Sequence, residues 1–221
     1  MWALATRSRP NNCRRFIQAW IETEASSPVY VRMDECDPHL QELLSLPWPK
    51  EFLINVGPRG RLGVCTQEML AKYPNEPWYG MLGDDVIPKT KHWDQLLIQR
   101  AGSHDIAAGN DVHEKSVRII HPCVGGDLVR LVGFFAVPGC EHVCIDTFWE
   151  QLHHYFGRNN QMRDVILEHA HFFFNQAQED YVYTEAQAFK QHDKRAFRDW
   201  KEQNWESLIK KIQDTYGWIP K

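Results

Sequence analysis

The segment Trp78-Tyr-Gly-Met-Leu-Gly-Asp-Asp-Val-Ile-Pro88 decides how this chain reads. An apolar run of strand composition leads straight into two adjacent carboxylates, and Pro88 closes the segment. Charges at the end of a buried strand are costly unless a cation meets them. Hard divalent cations take carboxylate ligands and often bring substrate phosphates with them. An acidic turn with solvated side chains would have the same sequence, so the weight falls on the surroundings.

Upstream, residues 1–5, 28–33 and 52–56 also have strand character. Between the first two, Cys13, Phe16, Ile17, Trp20 and Ile21 recur at helical spacing, with Asn11 or Asn12 as a fitting cap. Residues 66–73 predict a second helix, with Met69, Leu70 and Tyr73 on one side. A third starts near Lys89 and turns Trp93, Leu96 and Leu97 inward. Strands alternating with helices imply right-handed βαβ units around a largely parallel sheet. Ligands of such sheets bind outside the carboxyl ends of the strands. Residues 6–9, 34–37, 57–61 and the Asp84-Asp85 pair all fall at those ends. Four separate polar segments therefore converge on one rim.

The 221 residues suit one domain, and 43% hydrophobic content with nine Trp argues for a packed globular protein. No run approaches the roughly 18 apolar residues of a membrane span. The first apolar stretch is too short for a signal peptide, so a cytoplasmic protein is expected. Cys13, Cys36, Cys65, Cys123, Cys140 and Cys144 lack the paired spacing of a structural zinc site and read as reduced, mostly buried thiols. The net charge is −4, yet residues 186–221 hold eight Lys/Arg against five Asp/Glu. That basic tail is the solvated face of a helix or a contact for a polyanion.

In the second half, residues 106–109, 117–120, 131–137 and 164–171 read as strands, and 121–127 as a loop. Phe148, Trp149, Leu152, Tyr155 and Phe156 mark a helix that Gly157 ends. A final amphipathic helix carries Phe197, Trp200, Trp205, Leu208, Ile209 and Ile212. His169 and His171 are two apart on a strand, so they face the same side. Neutral imidazole is a common ligand for Mn²⁺, Zn²⁺ or Fe²⁺, though a strand His is also often a hydrogen-bonded core residue. Asp146 at a helix start suits a cap and the helix dipole, or a general base aimed into a cleft. Gly125-Gly126 is a plain turn or a place of close ligand approach. His121 and His142 are unremarkable by themselves.

The order of elements resembles a GT-A type nucleotide-sugar glycosyltransferase, close to the small metal-dependent ones of bacteria and their phages. The likeness rests on Ala5-Thr6-Arg-Ser-Arg9, Arg32-Met-Asp34 and Leu82-Gly-Asp-Asp-Val-Ile-Pro88, the last similar to an acidic "DXD" metal motif. Gly133-Phe-Phe135, His142, Asp146 and Glu168-His-Ala-His171 match later landmarks. The likeness covers roughly residues 1–190. It implies one Rossmann-like α/β domain with a central, mostly parallel mixed sheet flanked by helices. Residues 1–100 would bind the nucleotide sugar and 101–190 the acceptor, with 191–221 a helix packed on the same domain.

The roles that the resemblance implies are as follows. Thr6, Arg9, Arg59, Asp34 and Asp84 would contact the nucleotide sugar, which is expected to be uridine-based. Asp85, with His169 or His171, would bind Mn²⁺ or Mg²⁺. Asp146 would deprotonate the acceptor hydroxyl for an inverting, in-line displacement, and Gly125, Gly126 and His142 would line the acceptor side. The acceptor could be a hydroxymethylated pyrimidine in phage DNA or a bacterial polysaccharide, lipid or protein. The acidic motif departs from the pattern, since Gly83-Asp-Asp lacks the first acid of a strict Asp-X-Asp. Asp146 also stands alone where the family usually has two acids.

Two other functions fit parts of the pattern. A nucleotidyltransferase making a nucleotide sugar also uses paired carboxylates and a metal. It favours a glycine-rich phosphate loop, whereas residues 6–10 have cations and no glycine. A non-catalytic nucleic-acid-binding protein could use the basic tail, but the acidic body argues against it.

Overall fold

The computed structural model describes residues 1–112, 119–158, 160–170 and 181–221. The first half alternates as the sequence predicts, with the short α2 as an element the sequence reading did not foresee: β1 (Trp2–Thr6), α1 (Pro10–Glu22), β2 (Val29–Asp34), α2 (Leu40–Leu44), β3 (Phe52–Gly57), α3 (Leu62–Lys72) and β4 (Trp78–Leu82). A short β5 (Val86–Pro88) precedes α4 (Trp93–Ala101). The second half comprises β6 (Ile106–Asn110), β7 (Cys123–Gly125), α5 (Gly126–Val132), α6 (Ile145–Tyr155), β8 (Gln161–His169) and α7 (Tyr181–Tyr216). The strands form one sheet in the order β3-β2-β1-β4-β7-β6-β8-β5. Strands β1 to β4 are mutually parallel, β7 runs against β4 and β6, and β5 runs against β8. The protein is thus an α/β fold with a mostly parallel mixed sheet and helices on both faces.

Period-two alternation along the strands builds two cores. Trp2 and Leu4 of β1, Val29, Val31 and Met33 of β2, and Trp78 and Leu82 of β4 point to one face, where α1 and α4 bring Phe16, Trp20, Trp93 and Leu97. Ala3, Tyr30, Tyr79 and Met81 point to the other, against Cys65 and Met69 of α3, Phe148 and Trp149 of α6, and Ile212 of α7. Strands buried on both faces read as continuous apolar runs, which is why they were legible. Aromatic rings lock the first core, with Trp2 5.2 Å from both Trp78 and Trp93 and Trp20 5.0 Å from Phe52. Such pairs contribute about 0.5–1.5 kcal/mol beyond their buried area.

Several expectations are corrected. Helix α1 opens at Pro10, and no side chain caps it. The proline ring is preset for the first helical position and needs no N–H there. Asn11 and Asn12 instead accept hydrogen bonds from Arg14 and Arg15. Residues 123–125, expected in a loop, form β7 and insert between β4 and β6. Residues 131–137, expected as a strand, hold the end of α5, a left-handed Gly133 (φ 92°) and a loop. Their apolar character serves burial of Phe135, Ala136 and Val137. Of the strand expected at 117–120, residues 117 and 118 lie outside the described ones, and 119–120 join no strand. Helix α7 starts ten residues before the expected boundary at 191. All six cysteines are free thiols, four of them buried. No described helix is long and apolar enough to cross a membrane.

Candidate functional site

Parallel pairing fixes where the polar segments meet. The register matches Leu4 with Leu82, Thr6 with Met33 and Asp34 with Gly57, so β1 to β4 end at one edge. A cavity of about 500 Å³ opens there. Thr6, Arg9, Asp34, Arg59, Asp84, Asp85, His142, Asp146 and His169 all line it, as the sequence analysis expected of a single site. His171 lies outside the described residues. Gly125 and Gly126 do not line it. Gly125 pairs with Trp78, at the opposite end of β4. A Cβ on Gly126 would stand 2.1 Å from the Glu76 carbonyl oxygen, so backbone, not ligand, approaches these glycines.

The wall of the cavity formed by the strand ends is a web of ion pairs. Arg9 reaches Asp84 at 3.2 Å and Asp85 at 4.0 Å. Thr6 donates to Asp84 at 2.8 Å. Burial pushes the Asp84 carboxyl up to about 6, opposed by Arg9 and reinforced by the neighbouring charge of Asp85. Arg7 meets Asp34 at 2.9 Å, and the other Asp34 oxygen accepts the Gly60 N–H at 2.9 Å. Asp34 thereby clamps the loops after β1 and β3 together. Ser8, in a left-handed conformation (φ 55°), donates its N–H and hydroxyl to Asp37 at 2.7 and 2.9 Å. Buried Arg32 shapes the β3 loop from beneath, through the Pro58 carbonyl and a 2.7 Å pair with Glu68.

Beside the acid pair, β8 delivers a histidine through its pairing with β5. Val86 pairs with His169 in the antiparallel ladder, and the Ala170 N–H donates to the Asp85 carbonyl at 2.9 Å. That register brings His169 Nε2 to 3.3 Å from Asp85 Oδ1. Burial disfavours the His169 cation, but the hydrogen bond and charge of Asp85, helped by Asp111 and Asp146, hold its pKa above the usual value. Asp85 and His169 supply the carboxylate and imidazole donors that a divalent cation takes, in a partly dry cavity. The donor chemistry fits such an ion. Among the described residues, no three His, Cys, Asp or Glu side chains are gathered closely enough to enclose one as they stand.

Residues of α6 and α7 form another wall of the cavity. Asp146 sits in the first turn of α6, but the cap position belongs to Cys144, and no side chain caps that end. Asp146 Oδ1 takes the Thr147 N–H at 2.7 Å. Its other oxygen bonds no described residue. The loop before α6 is held by Asp193, and burial, with the charge of Arg61, lowers the pKa of His142. Lys190 and Lys194 of α7 reach the same cavity.

Sequence reasoning placed Arg61 at the rim with the 57–61 segment but did not single out His121, Lys190 or Lys194, which also line the cavity. The two lysines belong to the basic tail whose charge excess was visible. Nothing in the sequence singles out His121.

No family model and no curated protein matches the sequence. Among solved structures, the chain is similar to Staphylococcus aureus TarS 1–349, with 12% identity and a TM-score of 0.49, over 75% of this chain and 58% of that one. It is also similar to the apo-form glycosyltransferase GlyE of Streptococcus pneumoniae TIGR4, with 10% identity and a TM-score of 0.37, over 60% and 37%. The alignments thus span less than two thirds of either of those chains.

Proposed function

We propose that this protein is a glycosyltransferase that moves a sugar from a nucleoside diphosphate, uridine diphosphate by preference, to an acceptor hydroxyl. One observation carries the reading: the Asp84-Asp85 pair with His169 and the carboxylate of Asp146 face one cavity at the carboxyl ends of parallel strands. Transfer of a glycosyl group with inversion needs both parts, a charge-neutralising side for the leaving diphosphate and a base for the attacking hydroxyl.

Thr6 and Arg9 position Asp84 to meet the ribose or sugar hydroxyls. Asp85 and His169 would hold a Mn²⁺ or Mg²⁺ ion, which when bound supplies positive charge beside the two phosphates. Arg59, on the β3 loop, adds a cation to the same rim. The second oxygen of Asp146 accepts the proton of the acceptor hydroxyl, which attacks the anomeric carbon as the carbon–oxygen bond to the diphosphate breaks. A DNA hydroxymethylpyrimidine or a bacterial glycan would each present such a hydroxyl, and Lys190 and Lys194 would meet an acceptor that carries phosphates.

The reading is tested without knowing the acceptor. The protein is incubated with a panel of nucleotide sugars and Mn²⁺, and released nucleoside diphosphate is measured. Slow hydrolysis of one UDP-sugar, abolished by chelator, is expected. Release from no donor, together with no calorimetric binding of UDP in Mn²⁺, would remove the proposal.

A further inference from the structure

Among the described residues that line the cavity, only His121 has buried side-chain polar atoms without a hydrogen-bond partner. It is 6% exposed, and both ring nitrogens are buried without a hydrogen-bond partner among the described residues. Core histidines usually spend at least one nitrogen on a neighbour, because an unmade hydrogen bond in a dry site is costly. Its backbone is also unusual, with φ 54°, a left-handed conformation seen in only a few per cent of non-glycine residues. Such outliers cluster at ligand sites, where surrounding structure holds them in place.

The position of the ring says what it is held for. It lines the cavity, edge-on to His169 with ring centroids 5.2 Å apart. A Cβ built on Gly83 would lie 3.6 Å from His121 Cε1 and 2.5 Å from Asp85 Oδ1, so one small space separates the imidazole from the acid pair. Asp85 and His169 meanwhile hydrogen-bond each other at 3.3 Å. A neutral imidazole with two lone nitrogens therefore stands beside a carboxylate–imidazole pair.

We propose that His121 is a further ligand of the divalent cation that Asp85 and His169 hold. The inference rests on the glycosyltransferase reading for the presence of that cation. The three side chains are not gathered closely enough to enclose an ion as they stand; an ion would draw them together in place of the direct contact between Asp85 and His169, and His121 has no hydrogen bond to break in joining them. Two imidazoles with a carboxylate make a softer set than carboxylates and water alone. Imidazole favours first-row transition ions, whereas Mg²⁺ prefers oxygen ligands and sheds water reluctantly. The site should thus take Mn²⁺ in clear preference to Mg²⁺, and His121 should be a source of that preference.

The test uses the full chain with UDP present. Free Mn²⁺ is counted by electron paramagnetic resonance during titration, and pulsed measurements on the bound ion count coordinated imidazole nitrogens. The variant is His121→Asn, since Asn tolerates the left-handed conformation, and its melting curve checks that it folds. Loss of a ligand should weaken Mn²⁺ binding about tenfold or more, remove one imidazole coupling, and narrow the Mn²⁺-over-Mg²⁺ preference. A folded variant with wild-type affinity and nitrogen count overturns the role of His121 and leaves the cation reading standing. Wild-type protein showing fewer than two imidazole couplings overturns the role without any variant. Wild-type protein that binds no Mn²⁺ removes both.

Discussion

The Asp193 carboxylate on α7 accepts the backbone N–H of His142 at 2.8 Å, tying the last helix to the wall of the cavity. The same oxygen takes the Val143 N–H at 2.8 Å, and the other takes Glu141 N–H at 3.1 Å and lies 3.0 Å from His192 Nδ1. Asp193 is fully buried. Burial alone would raise its pKa, but His192 and the three N–H groups outweigh that and hold it below the usual value. Its stabilisation is therefore present above the unfolded value of about 3.9 and lost as pH falls through the lower folded one. Asp193→Asn turns a donor toward these donors, and should lower the unfolding free energy by about 1–3 kcal/mol at pH 7. On the proposed reading, in which this loop would serve the acceptor side, sugar transfer should fall as well while UDP binding persists. Urea unfolding and UDP calorimetry on one preparation check this; unchanged stability would make the contact incidental.

Gly83 separates the end of β4 from the acid pair, and its hydrogen occupies space that a methyl group cannot. A Cβ there would stand 2.5 Å from Asp85 Oδ1. Gly83→Ala should push the Asp85 carboxylate out of line with His169 while leaving the strand intact. Changes to the groups that orient metal ligands typically cost 10–100-fold in metal affinity or activity, so Mn²⁺-dependent UDP release should drop by about that range. The melting temperature should move little. Wild-type release rates in this variant would mean that Asp85 is not where the chemistry depends on it.

His153 on α6 offers a pH signature away from the cavity. It is 1% exposed, and its Nε2 accepts the Asn160 N–H at 3.1 Å. Burial, with the charge of His154 adding, pushes its pKa down to about 4. Between that value and the ordinary one near 6.5, the unfolded chain binds the proton and the folded one does not. Stability should accordingly rise with pH through that window and be lost as pH falls toward 4. His153→Gln keeps an acceptor and removes the titration. Its gain in unfolding free energy between pH 5 and pH 7 should be smaller than that of wild type, by urea denaturation. Equal gains in both proteins would assign the pH dependence to other groups.

What the sequence showed and hid follows from the physics of each element. Strands β1 to β4 were visible because sheet faces covered by helices demand unbroken apolar runs, and α1 because Cys13, Phe16, Ile17 and Trp20 keep helical period. Strand β7 was not, because three residues next to two glycines carry no period and owe their pairing to β4 and β6. The run at 131–137 shows the opposite error, since apolar composition alone does not separate a strand from a helix end packed in a core. The acid pair announced itself by its cost. His121 did not, because its isolation from partners is a property of three-dimensional neighbours, and so is the reach of α7 into the cavity.

Asp146 allows the sharpest separation of a structural from a chemical role. It lies in the first turn of α6, where a negative charge interacts favourably with the helix dipole, typically by about 0.3–1 kcal/mol. It is not the cap, since Cys144 holds that position with φ 67°. Its Oδ1 bond to the Thr147 N–H at 2.7 Å needs only an acceptor oxygen, which Asn also has. Asp146→Asn should therefore fold normally and lose no more than that dipole contribution. A carboxamide is no base, however, and general base catalysis is worth about 10² to 10⁴ in rate. Sugar transfer should fall by that factor. UDP affinity should survive, because on the proposed reading Asp146 would meet the acceptor while Thr6, Arg9 and Asp34 would form the nucleotide side. Donor hydrolysis should fall less than transfer, since water can be activated by other groups in the cavity. Near-normal transfer by a well-folded Asp146→Asn would leave Asp146 a favourable charge at a helix start, and the base would have to be sought in His142 or Glu141.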